Sequence, residues 1–125
     1  MSVPTQARAA AYQQSQILTA SPAQLVVMLY DGARRFLFQA AAAMRDGDRP
    51  LTEQRLRRAE DILSELLATL DHQRGGEVAP RLEAIYVFCK AELIRARTGQ
   101  DPDRIDFVRE QLSELREAWA QIAGT

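Results

Sequence analysis

The stretch Asp101–Gly124, DPDRIDFVREQLSELREAWAQIAG, spells out a whole helix from cap to cap. Asp101 offers a carboxylate to the unpaired amides of a first turn, and Pro102 stands where a missing N–H costs nothing. Asp103 adds negative charge beside the positive end of the helix dipole. From there Ile105, Val108, Leu112, Leu115, Trp119 and Ile122 recur at steps of 3, 4, 3, 4 and 3, a coiled-coil-like seam. Gly124 closes the stretch with the residue that most cheaply accepts a left-handed backbone.

The same punctuation repeats upstream. Pro22 precedes Gly47, Pro50 precedes Gly75-Gly76, and Pro80 precedes Gly99. Four proline-to-glycine cassettes predict four helices, over about 22–45, 50–71, 79–98 and 102–123. Ser21-Pro22-Ala23-Gln24 has the pattern of a capping box. The connections are short, so neighbouring helices should run antiparallel. The fold class is all-α: an antiparallel four-helix bundle over 21–125, preceded by a short, weakly held segment over 1–20.

Each cassette offers a core stripe. The second has Leu56, Ala59, Leu63, Leu66 and Leu70, backed by Arg55, Arg57, Arg58, Glu60, Asp61 and Glu65. The third has Leu82, Ile85, Tyr86, Cys89, Leu93 and Ala96. In the first, Leu25, Met28, Leu29, Gly32, Phe36 and Ala43 share a face. Gly32 costs about 1 kcal/mol relative to alanine inside a helix, which argues for close approach of a neighbour.

Two helices carry more apolar surface than one seam needs. On the first, Val26, Tyr30, Ala33, Leu37 and Met44 form a second stripe. On the third, Val87, Ala91 and Ile94 lie away from the core stripe, and Phe107 lies off the seam of the fourth. A bundle helix touches two neighbours, so a wide apolar arc is ordinary. The other reading is a groove for the apolar helices of a partner, with Val26, Tyr30, Leu37, Val87, Ile94 and Phe107 as anchors. Ahead of the bundle, only Tyr12, Ile17 and Leu18 are large apolar residues between positions 5 and 18. That segment reads either as a frayed terminus or as a detachable lid over the groove.

Composition narrows function. The chain has 125 residues, of which 46% are hydrophobic and 26% charged, the balance of one globular domain. Sixteen Lys and Arg against 17 Asp and Glu leave a net charge of −1, without the basic excess of a nucleic-acid binder. One cysteine, Cys89, and one histidine, His72, cannot build a disulfide framework or a multi-ligand metal site, and no cofactor is expected. His72 fits the C-terminal end of the second helix, where a partly charged imidazole complements the dipole, or plain exposure. No apolar run approaches membrane-spanning length, and nothing marks export, so the cytosol is the expected compartment. No phosphate loop or nucleophile elbow occurs, so no enzymatic chemistry is expected.

The stretch TASPAQLVVMLYDGARRFL, Thr19–Leu37, resembles the signature of the FliS family, flagellin-specific export chaperones of bacteria. The resemblance extends over Tyr12, Gln13 and Gln14, LRRAEDILSELLATLD in the second helix, GGEVAPRLEAIY entering the third, and LSELREAW near the end. Departures fall mainly in the third helix, at Val87-Phe88, Glu92-Leu93 and Ala96-Arg97, and at Arg34 in the first. The resemblance implies a cytosolic bundle that binds the C-terminal segment of flagellin, prevents premature polymerisation and delivers it to the flagellar type III export gate. A structural four-helix protein that homodimerises weakly through its apolar stripes is the competing reading.

Overall fold

The computed structural model describes residue 8, residues 19–73 and residues 75–124; Tyr12, Ile17 and Leu18 lie outside them. Helix α1 spans Pro22–Arg45, α2 Arg49–Ala68, α3 Val78–Gly99 and α4 Pro102–Ala123. Their starts follow the sequence chemistry. The Gln24 amide donates to Ser21 Oγ at 3.2 Å, while the Ser21 amide donates to Gln24 Oε1 at 2.8 Å. Asp48 and Asp101 accept from the Leu51 and Arg104 amides, both at 3.2 Å. Three of the four helix N-termini are thus satisfied by local side chains.

Two helix ends differ from expectation. Helix α2 stops at Ala68 rather than near residue 71, because Thr69 turns its amide and hydroxyl back onto the last carbonyls. His72 therefore sits in the connection, not on the helix, with Nε2 3.0 Å from Glu83 of α3. Gly75 keeps this connection tight: a Cβ there would lie 2.6 Å from the Asp71 carbonyl oxygen. At the end of α3 the left-handed cap belongs to Gln100 (φ 48°), not Gly99. The Gln100 side chain helps to hold that conformation by donating to the Arg97 carbonyl at 2.9 Å.

The bundle is up-down-up-down: α1 lies between α2 and α4, and α3 closes the opposite corner. Helix α1 approaches both neighbours closely because its flanks are small. Gly32 is buried under α2, where an added Cβ would meet Ile62 Cδ1 at 3.3 Å, and Ala33, Ala40, Ala41 and Ala43 are buried beside it. Across the diagonal, the Tyr30 and Tyr86 hydroxyls hydrogen-bond in the core. Two large rings at that point hold α3 farther out than alanines would.

The core stripes of α2, α3 and α4 fall where periodicity puts them, with one exception. Ile122, the last seam position of α4, is exposed, because the seam outruns its partners at the end of the bundle. The two stripes of α1 are corrected. Tyr30, Ala33, Leu37 and Met44 are core, and Tyr30 and Leu37 are wholly buried. Leu25 is exposed, and Met28, Leu29 and Phe36 are only partly buried. Both stripes obey a 3–4 spacing, so periodicity identified the apolar arc but not its centre. The diagonal partner, Tyr86, sets that centre.

Candidate functional surface: the outer face of helix α3

Helix α3 inverts the usual pattern of a bundle helix. Its flanks, where it meets its neighbours, are largely polar, and its outward face is apolar. Toward α2, Arg97 donates to Glu53 at 2.9 Å and also bonds Glu60, while Lys90 Nζ donates to Ser64 Oγ at 2.8 Å. Toward α4, Glu92 is only 8% exposed and accepts from Arg104 at 2.9 Å and from Arg95 at 2.7 Å. The attraction to two guanidiniums must offset the cost of taking this carboxylate out of water, so the cluster is weak evidence of net stabilisation. Removing one partner would leave an uncompensated charge.

With its flanks fastened by polar contacts, α3 leaves large apolar side chains to solvent. Val87 and Ile94 are 53% and 54% exposed, seven residues apart on one face, with Ala91 between them. Val78, at the start of the helix, is exposed too, but on the side of Leu82, toward the end of the bundle. On the α4 side, Phe88 and Phe107 meet edge to face, ring centroids 6.3 Å apart, and both remain exposed. Scattered apolar residues on a surface mean little, but a contiguous set along one helix marks an interaction site.

A second apolar feature lies at the end of the bundle. A cavity of about 330 Å³ opens between the start of α1 and the α2–α3 connection, with walls from Pro22, Val26, Leu70, Val78, Leu82 and Trp119. Val26 is half-buried in this wall.

Six of the nine residues singled out from sequence thus have defined places. Val87 and Ile94 share the outer α3 face, and Phe107 borders it through Phe88. Val26 lines the end cavity, and Tyr30 and Leu37 are core, not surface. Tyr12, Ile17 and Leu18 lie outside the described residues. Sequence reasoning missed Phe88, although it directly follows Val87, because an i, i+4, i+7 template skips it.

Chemistry is sparse. Cys89 is free and buried; burial first, and then the Glu92 charge, push its thiol up to about 11. Burial, reinforced by the Tyr86 hydroxyl, likewise pushes Tyr30 far above the ordinary tyrosine value. Neither group is poised to react near neutrality. Among the described residues no cluster of His, Cys, Asp and Glu could hold a metal ion, and no helix is long and apolar enough to cross a membrane.

The family described as Flagellar protein FliS matches residues 4–125, almost the whole chain. The chain belongs to the FliS family. It is 38% identical over 108 residues to the flagellar secretion chaperone FliS of Vibrio cholerae, covering 86% of this chain and 79% of that one. It is 36% identical to the chaperone of the same name from Salmonella typhimurium, over 88% of this chain and 82% of the relative. The Bacillus subtilis protein is 32% identical, over 89% and 82% respectively. Membership in FliS makes this a flagellar secretion chaperone by family, and the apolar outer face of α3 is a feature that such a role can use.

Proposed function

We propose that the chain binds the C-terminal segment of flagellin in the cytosol, prevents its premature polymerisation and delivers it to the flagellar type III export apparatus. The observation that carries this reading is the contiguous apolar face of α3 with its Phe88–Phe107 border. An amphipathic helix of flagellin lays its apolar side along Val87, Ala91 and Ile94, anchoring at helical spacing. Folding on binding offsets part of the gain with ordering entropy, which keeps the complex releasable without nucleotide. Flagellin polymerises through terminal segments, so a chaperone that occupies them blocks assembly by competition. Residues 1–18 act in this reading as a detachable lid over the apolar groove, held through Tyr12, Ile17 and Leu18 until a partner displaces it.

A paired substitution tests the surface. Ile94→Asp should leave the urea midpoint nearly unchanged, as exposed substitutions move stability by within about 0.5 kcal/mol. It should cost several kcal/mol of affinity, roughly, for a flagellin C-terminal peptide, because a charge would enter an apolar contact. Leu112→Asp, at a wholly buried position, should do the reverse and unfold the bundle. Isothermal titration and urea melts read both effects. Equal unfolding by the two variants, or unchanged affinity for Ile94→Asp, would show that the α3 face is not the docking surface.

A further inference from the structure

The two halves of α3 are held very differently. From Lys90 onward the helix is tied on both flanks: Lys90 to Ser64, Glu92 to Arg104, and Arg97 to Glu53 and Glu60. Leu93 and Ala96 are wholly buried among these ties, and the Gln100 amide closes the end onto the Ala96 and Arg97 carbonyls. These contacts do not reach the first two turns, residues 78–85. At their start Glu77 makes no side-chain cap, whereas Ser21, Asp48 and Asp101 cap the other three helices. Ala79 and Leu82 are buried and Ile85 is half-buried, while Val78, Arg81, Glu83 and Ala84 are exposed. The ion pair that reaches these turns, His72 with Glu83, joins two half-exposed side chains and contributes little.

Packing is also poorest at this point. The end cavity of about 330 Å³ lies under these turns, with Ala79 and Leu82 on the α3 side and Val26, Leu66 and Trp119 on the other. Side chains that border a cavity lack dispersion partners across it, so the two apolar residues that dock this stretch do so at a discount. Its ends differ in stiffness. Before it, Gly76 sits at φ 52° with open space where a Cβ would stand, which gives the chain a pivot. After it, Tyr86 is buried and its hydroxyl bonds that of Tyr30, which gives a latch. Local opening is drawn from segments with few buried apolar contacts and exposed backbone hydrogen bonds. We infer that residues 78–85 form a gate over the end cavity, opening by local unfolding between Gly76 and Tyr86 while residues 90–99 stay docked. Opening bares the apolar floor on Leu66 and Trp119, so the gate governs access to the cavity. It does not rest on the flagellin reading, and its test uses no partner.

Native-state amide exchange of the full chain, followed by NMR in a series of low urea concentrations, tests this. The amides of Leu82 to Cys89 donate to carbonyls of residues 78–85 and lose those partners when the gate opens. They should exchange at least about tenfold faster than the amides of Leu93 to Arg97, and with a weaker urea dependence, because a local opening exposes little surface. Ala23→Leu separates a gate from simple fraying of a helix end. Ala23 lines the cavity from α1, so a larger side chain there supplies packing to the gate. Exchange of Leu82 to Cys89 should slow at least about threefold, with Leu93 to Arg97 unchanged. If that variant perturbs folding, Tyr86→Phe serves instead: it removes the latch bond, keeps the ring, and should speed the same amides at least about threefold. Amides of Leu82 to Cys89 as slow as those of Leu93 to Arg97, or with the same urea dependence, overturn the inference. So does a folded Ala23→Leu variant, or failing it Tyr86→Phe, that leaves their exchange unchanged.

Discussion

Cys89 shows how far one residue's environment can be read from its place in a helical period. It recurs with Leu82, Tyr86 and Leu93, so the sequence predicts an inert, buried thiol, and the structure buries it completely. Its thiol is pushed up from 9.0 to about 11, mainly by burial. At pH 8 roughly one thousandth is then thiolate. Iodoacetamide should leave the native protein unlabelled at pH 8 and label it fully in guanidinium, as mass spectrometry would read. The sign of the linked stability follows. A thiol whose folded value is raised contributes stability present below pH 9, and that stability is lost as pH rises toward 11. Rapid native labelling would show Cys89 to be accessible. Tyr30 and Leu37 mark where such reading fails. Their spacing placed them on an apolar stripe correctly, but which of two stripes faces inward depends on Tyr86, 56 positions from Tyr30 in sequence. Gln100 is a second case: glycine is the favoured left-handed cap, yet a side-chain hydrogen bond to Arg97 lets glutamine take it.

At the scale of elements, α2 and α4 were legible because each is apolar on one side and charged on the other. Helix α3 is apolar on two sides, so its sequence alone leaves open which side faces the core. The polar seam to α2 decides it, and that seam has a measurable acid response. Arg97 donates to Glu53 and holds its carboxyl below the ordinary 4.5, against an opposing contribution from burial; Arg57 adds a smaller pull. A depressed carboxylate contributes stability that is present above about pH 4.5 and lost as pH falls through its folded value. The Glu53 side chain is 38% exposed, so the contribution should stay under about 1 kcal/mol. The urea midpoint of Glu53→Gln should therefore sit below that of the unmodified chain at pH 7, and the gap should close between pH 4.5 and pH 3. Curves that stay parallel over that range would rule out this seam as a source of acid sensitivity.

For the whole molecule, the interleaving of prolines and glycines made the four helices readable before any packing was known, because caps are local chemistry. What covers the finished bundle is not local, and residues 1–18 pose that question directly. The bundle does not rely on them for its first cap, which Ser21 and Gln24 close between themselves. Among the described residues its buried core runs from Val27 onward. Deleting residues 1–18 should thus leave a folded bundle, with a cooperative urea transition near that of the full chain. Affinity for the flagellin peptide should be equal or higher, since removing an internal competitor enlarges the fraction able to bind. A collapsed circular dichroism spectrum would mean that the segment is part of the core. Lost binding by an otherwise folded bundle would instead place Tyr12, Ile17 or Leu18 in direct contact with flagellin, making the segment a clasp and not a lid.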